Sequence, residues 1–172
     1  MIIIREAREA DISALLAIYN HVILHTTAVY TYEPQSLAAR QAWYAEKQAA
    51  GYPVYVAEEA GRVIGFSSYG PFRAWPAYKY TIENSVYVTE EQRGKGVGKL
   101  LIRPLIESAR AKGYHAIIAG IDASNDASLR LHATFGFLEV AHFKQVGYKF
   151  GRWLDLKFME LLLETPERPV EG

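Results

Sequence analysis

Apolar positions along this chain change their spacing from one stretch to the next, and each change predicts an element. Ile2, Ile3 and Ile4 ahead of Arg5 read as a short strand. Behind Asp11, the residues Ile12, Leu15, Leu16, Tyr19, Val22 and Ile23 recur at helical intervals, so one apolar stripe runs along an amphipathic helix. A polar and aromatic stretch, Thr26 to Pro34, follows. Ser36 then suits the unpaired N–H groups of a first turn and caps a second helix that runs to the break at Gly51-Tyr52-Pro53. Pro53 to Glu58 and Arg62 to Tyr69 are rich in valine, tyrosine and phenylalanine; they meet across a short turn at Gly61, as a hairpin does, and Gly70-Pro71 ends the second strand.

A third long strand, Tyr80 to Val88, leads straight into a glycine-rich loop, and Val97 to Lys112 beyond it reads as a helix that Pro104 deprives of one interior hydrogen bond. Strand Ala116 to Ile121, a helix from Asn125 with Gly136 as its stop, and two closing strands, Phe137 to Tyr148 and Trp153 to Leu163, complete the series. Strands interleaved with helices predict an α/β fold with a mixed sheet. One domain is expected over residues 1–163, with residues 164–172, which hold Pro166 and Pro169 among charges, as a flexible tail.

Composition narrows the chemistry. With 172 residues, half of them hydrophobic, the chain suffices for one core. Nineteen basic residues balance nineteen acidic ones, so nothing in the net charge attracts nucleic acid, and any phosphate binding must be local. Cysteine is absent, which excludes disulfides, a thiolate nucleophile and a cysteine-bound zinc; the five histidines are read as scattered, without helix-type metal spacing, and no metal is expected. Charge enters at Arg5, too early for a signal peptide, and no apolar run approaches membrane-spanning length; a cytoplasmic protein without a membrane partner is expected.

The loop Gln92-Arg93-Gly94-Lys95-Gly96-Val97-Gly98-Lys99 is the strongest chemical signal. Glycine at every second position frees the backbone to turn successive N–H groups towards one anion. The helix that follows adds its positive end, and Arg93, Lys95 and Lys99 add full charges. The spacing differs from a Walker loop and from G-x-G-x-x-G, yet its place between strand and helix predicts a pyrophosphate cradle. Upstream, Glu83 stands among Tyr78, Tyr80 and Tyr87, where partial burial would strengthen a carboxylate as a base. An amine, protonated at neutral pH, needs such a base before it attacks a carbonyl. From the residues alone, an exposed, solvated carboxylate fits this position as well.

Arg93-Gly94-Lys95-Gly96-Val97-Gly98 resembles the R/Q-x-x-G-x-G/A signature of the GNAT acetyltransferases. Tyr80 to Val88, Asn125 to His132 and Gly151-Arg152-Trp153-Leu154-Asp155 are similar to the branch that holds phosphinothricin acetyltransferase and the methionine sulfoximine and methionine sulfone acetyltransferases, in matching order from Ile2 to about Leu163. The resemblance implies a GNAT fold, with a mostly antiparallel sheet flanked by helices on both faces. It implies acetyl-CoA as co-substrate and acetylation of the α-amino group of a small amino-acid analogue, a detoxification. Glu83 would be the general base, and His132 would protonate the departing thiolate or assist the base. The loop from Arg93 to Lys99, the backbone of Val86, Tyr87 and Val88, and Asn125 would hold the coenzyme, with the Val88 N–H aimed at the acetyl oxygen. Arg73 would take the acceptor carboxylate, as guanidinium does well. Tyr30, Ala74, Trp75, Asn84 and Ser85 would line the acceptor pocket beside Glu83, with Tyr78 and Tyr80 as further aromatic walls. The aromatic stretch Gln145 to Trp153 would join two copies as a homodimer. Acetylation of a protein N-terminus, acyl-CoA binding without catalysis, and nucleotide binding remain open alternatives at this level.

Overall fold

Each change of spacing becomes an element. The computed structural model describes residues 1–171, so Gly172, the last position of the expected tail, lies outside the described residues. Four helices and seven strands follow in the order β1 (Ile2–Glu6), α1 (Ile12–His25), α2 (Leu37–Ala49), β2 (Val54–Glu59), β3 (Arg62–Pro71), β4 (Thr81–Val88), α3 (Val97–Ala111), β5 (Ala116–Asp122), α4 (Asp126–Ala133), β6 (Leu138–Lys149) and β7 (Arg152–Leu162). Single 3-10 turns at Glu9–Asp11, Pro76–Tyr78 and Glu90–Gln92 were not anticipated. Ser36 caps α2 as expected, accepting a hydrogen bond from the Ala39 N–H at 3.1 Å. Gly70-Pro71 does not break β3; the strand absorbs both, because a proline at a strand end removes no interior ladder bond.

The strands form one sheet in the order β1-β2-β3-β4-β5-β7-β6. The β1–β2, β2–β3, β5–β7 and β6–β7 pairs are antiparallel, and β4–β5 is parallel. A mixed, mostly antiparallel sheet was the expected fold class. The β4–β5 ladder is short: Thr81, Ile82 and Glu83 pair with Ala116, Ile117 and Ile118, while β5 continues to Asp122 against β7.

By contacts the described residues form two compact units, Met1–Ser68 with Ser85–Leu105, and Tyr69–Asn84 with residues 106–171. In the first, Ile12, Leu15 and Ile18 of α1 and Tyr44 of α2 pack on Val54, Val56 and Phe66. Val97 and Leu101 of α3 pack with Ala57 and Ile64 on the opposite face of the same strands. Each fully buried leucine or phenylalanine there contributes about 1.5–3 kcal/mol. Arg40 of α2 is an unexpected member of that core. It is 2% exposed, with its guanidinium 4.0 Å from the ring centre of Tyr19 and 4.5 Å from that of Trp43. Burial lowers its pKa.

In the second unit, Ile117, Ile118, Ile121, Phe137, Leu154 and Met159 are buried. The segment after β7 is tied back to this unit. The Thr165 hydroxyl donates to the Tyr114 carbonyl, His115 Nδ1 donates to the Thr165 carbonyl at 2.9 Å, and the Tyr80 hydroxyl bonds both the N–H and the carbonyl of Val170.

Candidate active site

The glycine loop belongs to the first unit. After β4 the 3-10 turn at Glu90–Gln92 reverses the chain, and Gly94 and Gly96 follow at φ 75° and 87°, a left-handed backbone that a Cβ disfavours. Neither glycine has any atom within 4 Å of where a Cβ would sit, so conformation and not crowding calls for glycine. Gly98, grouped with them by spacing, lies instead in the first turn of α3. Arg93, Gly94, Lys95, Gly96 and Lys99 are exposed, whereas Val97 is 1% exposed and anchors the start of the helix in the core. Arg93 Nε donates to the Val88 carbonyl at 3.3 Å. The result is an accessible ridge of backbone N–H groups and cations at a helix N-terminus, which fits a diphosphate.

Val86 and Val88 pack their side chains against the α3 side of the core, and Tyr87 sets its ring 5.2 Å from Phe66 and 5.4 Å from Tyr19. All three side chains are thus half-buried in the core. Ser85 is half-buried on the same strand. A cavity of about 280 Å³ opens where Val88 and Thr89 meet Ala14, Ala17 and Ile18 of α1. Of the residues assigned to the coenzyme only Val88 lines it, and none of those assigned to the acceptor does. Tyr30, in the connection between α1 and α2, is exposed.

Glu83, Asn84, Arg73, Ala74, Trp75, Asn125 and His132 belong to the second unit. Glu83 is half-buried on β4, and its carboxyl lies above Gly120 of β5, where an added Cβ would stand 3.0 Å from Oε1 and 3.3 Å from the Phe158 ring. Burial raises the Glu83 pKa, and the charge of Arg73 opposes that rise. Arg73 is itself exposed; Nη1 donates to the Phe72 carbonyl at 2.8 Å, and the guanidinium stacks 4.2 Å from the Phe72 ring centre. Phe72 meets Tyr78 and Phe158 edge to face, and Phe158 meets Phe143 in the same way. Ala74 and Trp75 are exposed on this loop, Trp75 to 75%.

The buried pair Asn84 and His132 was not anticipated as a pair. Asn84 Nδ2 lies 3.1 Å from His132 Nε2, and His132 Nδ1 lies 2.8 Å from the Ser128 carbonyl. Burial lowers the His132 pKa, and the bond to Ser128 partly offsets this. Asn125 caps α4, its side-chain oxygen accepting from the Ser128 N–H at 3.1 Å.

Sequence reading missed Gly120, Phe72 and Phe158, whose neighbours are distant in the chain. The expectation that the histidines lack helix-type spacing was wrong for one pair: His21 and His25 stand four positions apart on α1 with ring centres 4.6 Å apart. His21 pairs with Glu90 at 3.2 Å, and among the described residues no group of three histidine, aspartate or glutamate side chains is placed to hold a metal. No helix among them is long and apolar enough to cross a membrane.

Residues 15–137 match the model of the Acetyltransferase (GNAT) family. The chain is 47% identical over 166 residues to L-methionine sulfoximine/L-methionine sulfone acetyltransferase of Salmonella typhimurium, covering 96% of this chain and 97% of that one. It is 36% identical over 160 residues to phosphinothricin N-acetyltransferase of Streptomyces coelicolor, covering 91% and 94% respectively. A Salmonella typhimurium acetyltransferase solved with its cofactor acetyl-CoA superposes with a TM-score of 0.96 at 46% identity, over 99% of this chain and 98% of that one. A match over most of the chain, relatives aligned nearly end to end, and an exposed glycine loop between strand and helix together assign this chain to the GNAT acetyltransferase family.

Proposed function

We propose that this chain transfers the acetyl group of acetyl-CoA to the α-amino group of a small amino-acid analogue of the methionine sulfoximine, methionine sulfone or phosphinothricin type. The observation that carries the reading is a half-buried carboxylate, Glu83, on the strand that runs directly into the glycine loop. The N–H groups of the loop and the first turn of α3 hold the diphosphate, with Arg93, Lys95 and Lys99 adding charge. The backbone of Val86 to Val88 receives the coenzyme arm, and the Val88 N–H faces the acetyl oxygen. Asn125, whose oxygen caps α4, offers its amide N–H to the arm.

The amine reaches Glu83 as an ammonium and gives up a proton. Its nitrogen then attacks the thioester carbon, the C–N bond forms, the C–S bond breaks and the nitrogen sheds its second proton. The departing thiolate takes up one proton, so the products are an amide and a thiol. Burial suits Glu83 to this work by raising its proton affinity. Arg73 opposes that rise, so an acceptor carboxylate that neutralises Arg73 strengthens the base as it binds. Binding and activation of the acceptor are thereby coupled. Tyr30, Ala74, Trp75, Asn84 and Ser85 line the acceptor pocket, in a homodimer acting in the cytoplasm to detoxify such analogues.

Thiol release measured with methionine sulfone, methionine sulfoximine, phosphinothricin, ordinary amino acids and a short peptide tests this. Glu83→Gln lowers kcat by about 10²–10⁴-fold while acetyl-CoA still binds. Arg73→Ala raises the KM of the amino acid about tenfold or more. Unchanged turnover in Glu83→Gln removes the base, an Arg73→Ala effect confined to acetyl-CoA removes the carboxylate contact, and preference for the peptide rejects the acceptor class.

A further inference from the structure

Glu83 pairs with Ile118 at the end of the β4–β5 ladder, yet its carboxyl lies over Gly120, two residues further along β5 and on the same face of the sheet. The side chain therefore leans along β5, past the last position at which β4 pairs with it. It can do so because position 120 carries no side chain: a Cβ there would stand 3.0 Å from Oε1, tighter than ordinary contact. Gly120 is exposed although Ala119 and Ile121 on either side of it are buried, so the strand is bare at this one point.

A ring flanks the carboxyl there. Phe158 is the partner of Gly120 in the antiparallel β5–β7 ladder, which puts it on the same face, and its ring carbon would meet the same Cβ at 3.3 Å. The ring is held on two sides, edge to face against Phe72 at 6.1 Å and against Phe143 at 5.4 Å between centres. It leaves Gly120 only by giving up both contacts. A phenyl ring offers a carboxylate no conventional hydrogen bond, so on that flank it takes the place of water. Around Glu83, the groups that carry or can carry charge are Arg73 and Tyr78 in the segment ahead of β4 and, by alternation from Gly120 and Phe158, Asp122 on β5 and Glu160 on β7. Among them Arg73 is the one whose charge acts on Glu83, and it lowers the pKa. Burial raises the pKa and prevails, and Phe158 is the apolar side chain that shares Gly120 with the carboxyl.

We propose that Phe158 and Gly120 are positioning residues for Glu83: Gly120 leaves the carboxyl its seat over β5, and the Phe158 ring keeps water from one flank of it. The inference rests on the reading of Glu83 as general base and adds the two residues that set how strong the base is and where it points. Both act through Glu83.

Carbon NMR of the side-chain carboxyls, with the Glu83 resonance identified by its absence from Glu83→Gln, reads the effect without any turnover. In wild type the carboxyl titrates above the ordinary 4.5. Phe158→Leu lowers that midpoint, and Phe158→Ala, which admits more water, lowers it by about half a unit or more. The acid limb of kcat/KM for the amino acid moves in the same order, because it reports the base of the free enzyme. Gly120→Ala pushes the carboxyl aside, so kcat falls about tenfold or more while acetyl-CoA binds as in wild type. A wild-type midpoint at or below 4.5, or a midpoint that stays put in both Phe158 variants, overturns the role of the ring, which then only packs. Wild-type kcat in Gly120→Ala overturns the seat. Should Phe158→Ala fail to fold, Phe158→Leu, which keeps an apolar side chain in place, decides alone: an unmoved midpoint overturns the proposal and a lowered one supports it. Full turnover in Glu83→Gln would sink the reading of Glu83 as base, an outcome distinct from a carboxyl that Phe158 does not shield.

Discussion

Glu83 sits where two effects oppose each other: burial favours its neutral form and the positive charge of Arg73 favours its ionised form, with burial the larger. Its folded pKa therefore exceeds the ordinary 4.5. Between that value and the folded one, the native state holds a proton that the unfolded chain has released, so stability falls as pH rises through the window, and the cost persists above it. Glu83→Gln cannot ionise and should melt at a higher temperature than wild type at pH 7.5, with the difference shrinking towards pH 4. Thermal unfolding at the two pH values checks this; a less stable variant at pH 7.5 would mean that burial is not the dominant effect. On the proposed mechanism the gain arrives together with lost turnover. His132 has the opposite sign, since its lowered pKa leaves the native ring neutral while the unfolded ring takes a proton below about 6.5, so its contribution weakens as pH falls. The place of Glu83 on a strand just ahead of the loop was legible in the sequence because that strand has a recognisable pattern. Gly120 was not: its role is to leave room for the Glu83 carboxyl, and nothing local to a glycine in a strand says what approaches it. The tie between Asn84 and His132, 48 positions apart, is unreadable for the same reason.

Elements were easier to read than contacts, because their signals are local. The helix caps at Ser36 and Asn125 fell where hydrogen-bonding side chains precede an apolar stripe. Gly136 sits at φ 89° beyond α4, the conformation that ends a helix. What failed were extents: β3 runs through Gly70-Pro71, and the 3-10 turns carry no period long enough to detect. Pro104 is tolerated inside α3, where the carbonyl it leaves unbonded belongs to Leu100, an exposed position that water can reach. In the loop, the pattern of three glycines resolves into two of left-handed backbone and one of helix, and this division makes a test. Gly96→Ala must place an alanine at φ 87°, which costs about 1–2 kcal/mol or tilts the loop's N–H groups. Gly98→Ala, at a helical position, costs nothing of that kind. Calorimetry with acetyl-CoA should show at least a fivefold weaker Gly96→Ala. Equal binding by both variants would mean that the loop's left-handed turn does not shape the diphosphate site.

At the scale of the molecule the unread feature is strand order, because β7, last in the chain, lies between β5 and β6. This leaves the twelve-residue β6 at an edge of the sheet, a position that invites pairing unless it is covered or charged. The edge is long, and between its exposed polar groups Glu139, Lys144 and Gln145 the apolar Leu138, Val140, Phe143, Val146 and Tyr148 are exposed as well, with Phe150 and Trp153, each more than half exposed, continuing the apolar surface. The hairpin is shaped with some care. Its register shifts between Phe143 and Gly147, where Gln145 takes φ 53°, and Asp155 holds the bulge by accepting from the Gln145 N–H at 2.9 Å and from His142 Nε2 at 3.0 Å. Those bonds lower the Asp155 pKa to about 2. A shaped apolar edge fits a second copy of the same chain, with the two hairpins related by a twofold axis. Sedimentation at micromolar concentration should therefore give twice the chain mass of 19.4 kDa. Val146→Glu with Trp153→Glu places four like charges at such an interface and should return the single-chain mass, with far-ultraviolet dichroism unchanged because both side chains are already exposed. If wild type sediments as one chain across that range, the hairpin is a solvent-facing surface and the acceptor pocket is built by one copy alone. If the double variant is monomeric but keeps the amino-acid KM of wild type, the dimer stands and the partner contributes nothing to the pocket.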